Sequence, residues 1–180
     1  MEDRLIPLCS EPEIATRVSA LAQAIARDYA QRPPVLVGIL KGAFIFLADL
    51  VRCLEIPIAG IEFLSLSSYG AGTVSSGEVT MNLGLSAAAV AGKPVIMVED
   101  IVDTGLTTQR AIAYLHSLHP ASIALCALLD KPDRRQVPVT IDYLGMTIPD
   151  RFVVGYGIDF DQQYRHLPAL YTIAPESGGT

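Results

Sequence analysis

The stretch that decides the fold is VIMVEDIVDTGLTTQ, residues 95–109. Four apolar residues run into Glu99 and Asp100, then a third acid, Asp103, stands beside Thr104 and Gly105, with Thr107 and Thr108 close behind. A short, continuously apolar run reads as a strand buried on both faces. Gly105 and the hydroxyls of Thr104, Thr107 and Thr108 then open a helix, TTQRAIAYLHSLH, whose free N–H groups and dipole attract an anion. By composition this is a phosphate cradle at a strand-to-helix turn. It is not a P-loop, because no Gly-Lys-Ser/Thr follows, and no complete G-x-G-x-x-G occurs in the chain. Asp103 or Thr104 would also serve as an ordinary cap of that helix. Glu99 and Asp100 need more: two acids at the end of a buried strand repel each other and resist desolvation unless something binds them. A vicinal diol or a hydrated Mg²⁺ would do so.

Outward from this stretch the same alternation repeats. Ser10 followed by Glu13 is a capping-box pattern, and Ile14, Val18, Leu21, Ala22 and Ile25 continue it as an amphipathic helix that ends before QRPP. VLVGIL at 35–40 reads as a buried strand feeding the helix GAFIFLADLVRCL. IAGIEFLSL at 58–66 is a strand, SSYGAGTVSSG at 67–77 a flexible polar loop, and EVTMNLG the returning strand. PVIMV at 94–98, SIALCALLD at 122–130, VTIDYLGM at 139–146 and FVVGYG at 152–157 complete the strands. Strands alternating with helices predict an α/β fold, a mostly parallel twisted sheet with helices on both faces. Ligands of such sheets bind outside the carboxyl ends of the strands, where Lys41, Gly42, Glu99, Asp100 and Lys131 stand.

The chain has 180 residues, 51% of them hydrophobic, enough for one substantial core, so residues 1–180 are expected to form a single domain. The net charge of −6, with no basic run, argues against a nucleic-acid surface. No apolar run approaches the roughly 18 residues that span a bilayer, and the acidic N-terminus does not resemble a secretory signal, so a cytoplasmic protein with no membrane partner is expected. Cys9, Cys53 and Cys126 are odd in number and scattered, which argues against a disulfide framework, and Cys53 and Cys126 are expected in the core. His116 and His119 read as a solvated helix end, and Arg134 and Arg135 of DKPDRR as a solvated turn. The tail APESGGT is expected to be disordered.

The run EDIVDTGLTT, with the four apolar residues before it, resembles the phosphoribosyl-diphosphate motif of the type I phosphoribosyltransferases. GILKGAFIF, SSYG, LLDKP and IPDRFVVGYGIDFDQQYRHLP are similar to segments of the hypoxanthine-guanine branch of that family, so the likeness runs from about residue 35 to residue 168. It implies that fold, with a core over about residues 35–145 and a small purine-binding hood formed by the terminal segments, about 1–20 and 146–175. It implies a Mg²⁺-dependent salvage enzyme that joins hypoxanthine or guanine to phosphoribosyl diphosphate, in a homodimer or homotetramer.

Carried onto this chain, the resemblance puts Lys41 and Gly42, after a non-proline cis peptide at Leu40–Lys41, on the diphosphate together with Arg165. Ser68 and Tyr69 become the tip of a lid. Glu99 and Asp100 hold the ribose hydroxyls or their metal, Thr104, Gly105, Leu106 and Thr107 the 5′-phosphate, and Asp159 a second Mg²⁺. Lys131 donates to the purine O6, Phe152 stacks on the base, the Val153 backbone meets its edge, and Asp103 is the general base at N7. An ammonium has donors only, which suits a 6-oxo group and not the 6-amino group of adenine. Leu106 and Asp130 depart from some relatives, and Asp130 would alter the orientation of Lys131. The competing readings are a non-catalytic sensor of phosphoribosyl diphosphate and a transferase specific for xanthine.

Overall fold

The computed structural model describes residues 4–68 and 79–174, of which 67, 68 and 79–81 are described by their backbone alone. Its strands are β1 (Leu5–Cys9), β2 (Val35–Leu40), β3 (Gly60–Ser68), β4 (Val79–Leu83), β5 (Pro94–Val102), β6 (Ser122–Asp130), β7 (Tyr143–Thr147), β8 (Val153–Val154) and β9 (Leu170–Ile173). Its helices are α1 (Glu11–Tyr29), α2 (Phe44–Cys53), α3 (Ala87–Val90) and α4 (Leu106–Ser117), with a short 3-10 turn at Pro132–Arg134.

Six strands form the main sheet in the order β4-β3-β2-β5-β6-β7, all neighbours parallel except β4 against β3. The apolar runs of β2, β5 and β6 are continuous because both faces are covered. Val35, Val37, Ile39, Val95 and Met97 face one way and pack with Val90 of α3 and with Ala111 and Leu115 of α4. Leu36, Ile96, Val98, Cys126 and Leu128 face the other and pack with α1 and α2 through Ile14, Val18, Leu21, Ile25, Phe46 and Leu50. The expected α1 forms with its capping box in place: Glu13 Oε2 accepts from the Ser10 backbone N–H at 2.8 Å and from Ser10 Oγ at 2.6 Å.

The terminal segments form a second, three-stranded antiparallel sheet, β1-β9-β8, in which Leu5 pairs with Ile173 and Val153 with Thr172. Two of its strands escape a pattern reading. β1 (LIPLC) contains a proline and lacks alternation, and β9 follows a coil rich in turns. FVVGYG does not extend the main sheet. Only Val153 and Val154 are strand, and they belong to the small sheet, because the following Gly155, Tyr156 and Gly157 take positive φ and turn the chain back. Cys126 and Cys9 are buried, whereas Cys53, expected inside, is exposed in the last turn of α2. His116 and His119 are exposed, as expected of a solvated helix end. Most of the polar loop and the end of the tail, residues 69–78 and 175–180, lie outside the described residues. Among those described, no helix is long and apolar enough to cross a membrane.

Phe46 is fully buried where α2 meets the sheet and α1. Phe46→Ala is therefore expected to cost about 3–5 kcal/mol of unfolding free energy, read from the urea denaturation midpoint.

Candidate active site

Between β2 and β5 the strand order reverses. The chain runs from β2 outward to β3 and β4, then returns to β5 and runs the other way through β6 and β7. In an open α/β sheet the crevice beyond the carboxyl ends at this switch point is where ligands sit. The sequence places its chemistry there. β2 pairs with β5 only as far as Gly38 with Val98, while β5 continues beside β6 to Val102 opposite Asp130. The last residues of β5 thus overhang β2, and the turn at Leu40–Gly42 fills the vacated edge, with Leu40–Lys41 in the cis form.

Glu99 and Asp100 lie inside β5 rather than after it, and neighbours on a strand point to opposite faces. Glu99 turns inward. It is 5% exposed and accepts a hydrogen bond at 2.8 Å from Oγ1 of Thr108, itself buried in the first turn of α4. Burial pushes the Glu99 carboxyl up to about 8, an effect that the Thr108 hydroxyl opposes and the Asp100 charge reinforces. Asp100 turns toward the Leu40–Gly42 loop, so closely that a Cβ on Gly42 would stand 1.9 Å from Asp100 Oδ2. Desolvation raises Asp100 to about 6; its own N–H, that of Ile101 and the Arg165 guanidinium favour the charged form, and the Asp159 carboxylate opposes it.

The loop after β8 supplies the far wall. A Cβ on Gly157 would lie 2.4 Å from the Gly42 carbonyl, so the two loops meet backbone to backbone. Arg165 folds back, donating to the Gly157 carbonyl at 2.8 Å and pairing with Asp159 at 2.7 Å. Gln162 Oε1 lies 3.4 Å from both Lys41 Nζ and Arg165 Nη2. Lys41, Gly42, Asp100, Asp159 and Arg165 are thus brought together. Thr104, Gly105, Leu106 and Thr107 form the turn into α4, with Gly105 left-handed at φ 84° as N-cap and the Leu106 N–H 3.4 Å from Thr104 Oγ1.

A cleft of about 310 Å³ gathers a second group: Asp103, Lys131, Phe152, Val153 and Asp159, with Ile101, Arg134, Asp150, Arg151 and Ile158. Lys131 is 6% exposed, and burial lowers its proton affinity while Asp103 and Asp150 raise it. Phe152 is half exposed and meets Phe160 edge to face, ring centroids 5.1 Å apart. Ser68 ends β3, and Tyr69 lies outside the described residues.

Of the two arginines of DKPDRR, Arg134 lies in an exposed turn, as expected, and Arg135 does not. Arg135 is largely buried and donates to the carbonyls of Asp103 at 3.1 Å and Val102 at 3.3 Å while pairing with Asp130, which therefore faces Arg135 and not Lys131. Arg134 pairs with Asp103 at 3.0 Å and Asp150 at 3.5 Å. Asp130 is a local partner of Arg135, but the Val102 and Asp103 contacts reach back across β6 and α4 and Asp150 lies in the following loop, so local sequence alone does not mark them.

Mg²⁺ is held in proteins by one or two carboxylates completed by water and substrate oxygens. Among the described residues no group of three or more His, Cys, Asp or Glu could hold a metal alone. The desolvated Asp100 carboxyl beside the like charge of Asp159 nevertheless fits that sparse donor set, since a cation would relieve both the burial and the repulsion.

The phosphoribosyl transferase domain family matches residues 8–161, and the chain belongs to the phosphoribosyltransferase family. The chain is 42% identical over 163 residues to the hypoxanthine phosphoribosyltransferase of Haemophilus influenzae, covering 89% of this chain and 90% of that one. It is 43% identical over 167 residues to the hypoxanthine-guanine phosphoribosyltransferase of Aquifex aeolicus, covering 92% and 93%. A crystal structure of a hypoxanthine-guanine phosphoribosyltransferase from Bacillus anthracis superposes with a TM-score of 0.89 at 40% identity, over 96% of this chain and 100% of that one.

Because Asp100 fills the space a side chain at position 42 would need, Gly42→Ala is expected to displace the carboxylate and lower phosphoribosyl transfer about 10²-fold. Steady-state turnover, measured beside the melting temperature, checks this.

Proposed function

We propose that the protein transfers phosphoribosyl from 5-phosphoribosyl 1-diphosphate to hypoxanthine, and also to guanine, in purine salvage, as a cytoplasmic homodimer or homotetramer. The observation that carries the reading is the pairing, in one cleft, of a buried donor-only cation, Lys131, with a carboxylate, Asp103, and an open aromatic face, Phe152. A 6-oxopurine presents an acceptor at O6, a proton at N7 and a flat face in that arrangement.

The reaction needs the ribose C1 to develop cationic character as diphosphate departs. The N-terminal turn of α4, residues 104–107, anchors the 5′-phosphate through its amides and hydroxyls. Lys41 and Arg165 neutralise the leaving diphosphate. Asp100 and Asp159 would hold Mg²⁺, which would offset diphosphate charge, and Glu99, buried against Thr108, braces the strand end. Phe152 and the Val153 backbone hold the base against that centre. Asp103 takes the N7 proton as N9 attacks C1, so the pair freed at N7 enriches the ring and N9 becomes the better nucleophile. Lys131 at O6 stabilises the charge appearing on the base.

Incubation with phosphoribosyl diphosphate, Mg²⁺ and each of hypoxanthine, guanine, xanthine and adenine tests the assignment. Nucleotide is expected from the first two; xanthine alone would give the xanthine-specific reading, and none would give the sensor. Asp103→Asn is expected to lower kcat about 10² to 10⁴-fold with little change in phosphoribosyl-diphosphate affinity. Lys131→Ala is expected chiefly to raise the KM for the base, and unchanged hypoxanthine kinetics would remove Lys131 from the O6 site.

A further inference from the structure

We propose that Arg134 is a positioning residue of the transfer reaction: its guanidinium aims the Asp103 carboxylate into the purine cleft and ties it to the loop carrying Asp150. The inference rests on the transferase reading above and adds to it a residue whose chemistry lies entirely in how it holds another.

The two oxygens of Asp103 are unequal. Oδ1 is closed to solvent and meets no donor in hydrogen-bonding geometry; facing it at 3.0 Å is Nε of Arg134. The Asp103 side chain as a whole is nevertheless 40% exposed, so its open oxygen is Oδ2. One oxygen is held by charge and the other is left open, on a residue that lines the cleft. A general base needs this division, since a carboxylate free to rotate presents its acceptor pair to N7 only part of the time.

Arg134 reaches Asp103 from one side of its fork and Asp150 from another, with Nη1 3.5 Å from Asp150 Oδ1. The guanidinium therefore spans the turn after β5, the 3-10 turn after β6 and the loop before β8, three walls of one cleft. A planar fork can face two carboxylates on different segments, whereas an ammonium is a single point of charge. Its neighbour completes the arrangement: Arg135 donates to the Asp103 backbone carbonyl at 3.1 Å, so one arginine fixes the main chain and the next aims the side chain. The charge also bears on Lys131, whose proton affinity Asp103 and Asp150 raise and Arg134 lowers. With Arg134 engaging both acids, Lys131 is left as the cation for O6. As a half-exposed ion pair Arg134 contributes little to stability, so its position calls for a different role.

The test is a double-mutant cycle of Arg134→Gln and Asp103→Asn, with Arg134→Lys as the conservative variant, assayed with hypoxanthine, phosphoribosyl diphosphate and Mg²⁺ beside melting temperatures. Arg134→Gln is expected to lower kcat and kcat/KM for the base about tenfold or more, leaving the KM for phosphoribosyl diphosphate and the melting temperature unchanged. Arg134→Lys should recover part of the loss, and Arg134→Gln should do nothing further in the Asp103→Asn background. Unchanged kinetics in Arg134→Gln, an equal loss in both backgrounds, or a loss that follows a fallen melting temperature with no recovery by lysine each overturns the proposal alone. Wild-type protein that transfers to no base overturns the transferase reading itself.

Discussion

Position 42 carries no side chain because the carboxylate of Asp100 occupies the place where one would stand. The rest of the site depends on that contact. It sets how closely the turn after β2 approaches the overhanging end of β5, and the other side of the same residue receives Gly157 from the loop of the small sheet. Three segments far apart in sequence meet at one residue through backbone and a single carboxylate. Space opens on both sides of the junction, with Lys41 and Arg165 lining one hollow and Asp103, Lys131 and Asp159 lining the other.

Desolvation explains how the acids are distributed. A strand end buried by neighbours on both faces cannot keep two adjacent carboxylates charged in the same place. The pleat separates them, sending Glu99 inward to a threonine hydroxyl and Asp100 outward to the loop, where a guanidinium lies within electrostatic reach. Asp103, beyond the last strand residue, is free of the pleat and meets an arginine instead. Each acid is thus stabilised by a different group.

Much of this was legible in the sequence. The continuous apolar runs at 35–40, 94–98 and 122–130 gave the buried parallel strands, because burial on both faces leaves no room for alternation. The capping box marked the start of α1 to the residue. β5 is longer than its apolar run: its acids look like the end of a strand, whereas pairing with β6 carries the strand through them. β1 and β9 were illegible because they are defined by each other across the length of the chain and carry no periodicity of their own. Within the site, the residues themselves could be named, but the opposed directions of Glu99 and Asp100 and the roles of Thr108, Arg134 and Arg135 could not. These arise from contacts among β5, α4 and the turn after β6 that exist only once the sheet has formed.

The segment after β6 is stitched to the turn after β5 almost residue by residue. Lys131 N–H donates to the Val102 carbonyl at 3.0 Å, Arg135 to that of Asp103, and the N–H groups of Gln136 and Val137 to that of Thr104 at 2.9 and 3.4 Å. The spacing between these donors is therefore as constrained as their identity. A single residue inserted or deleted between Lys131 and Gln136 would move every later donor out of register with its carbonyl. Surface loops commonly tolerate changes of length; this one, though it lies outside the regular elements, has its length fixed by the turn it is bound to.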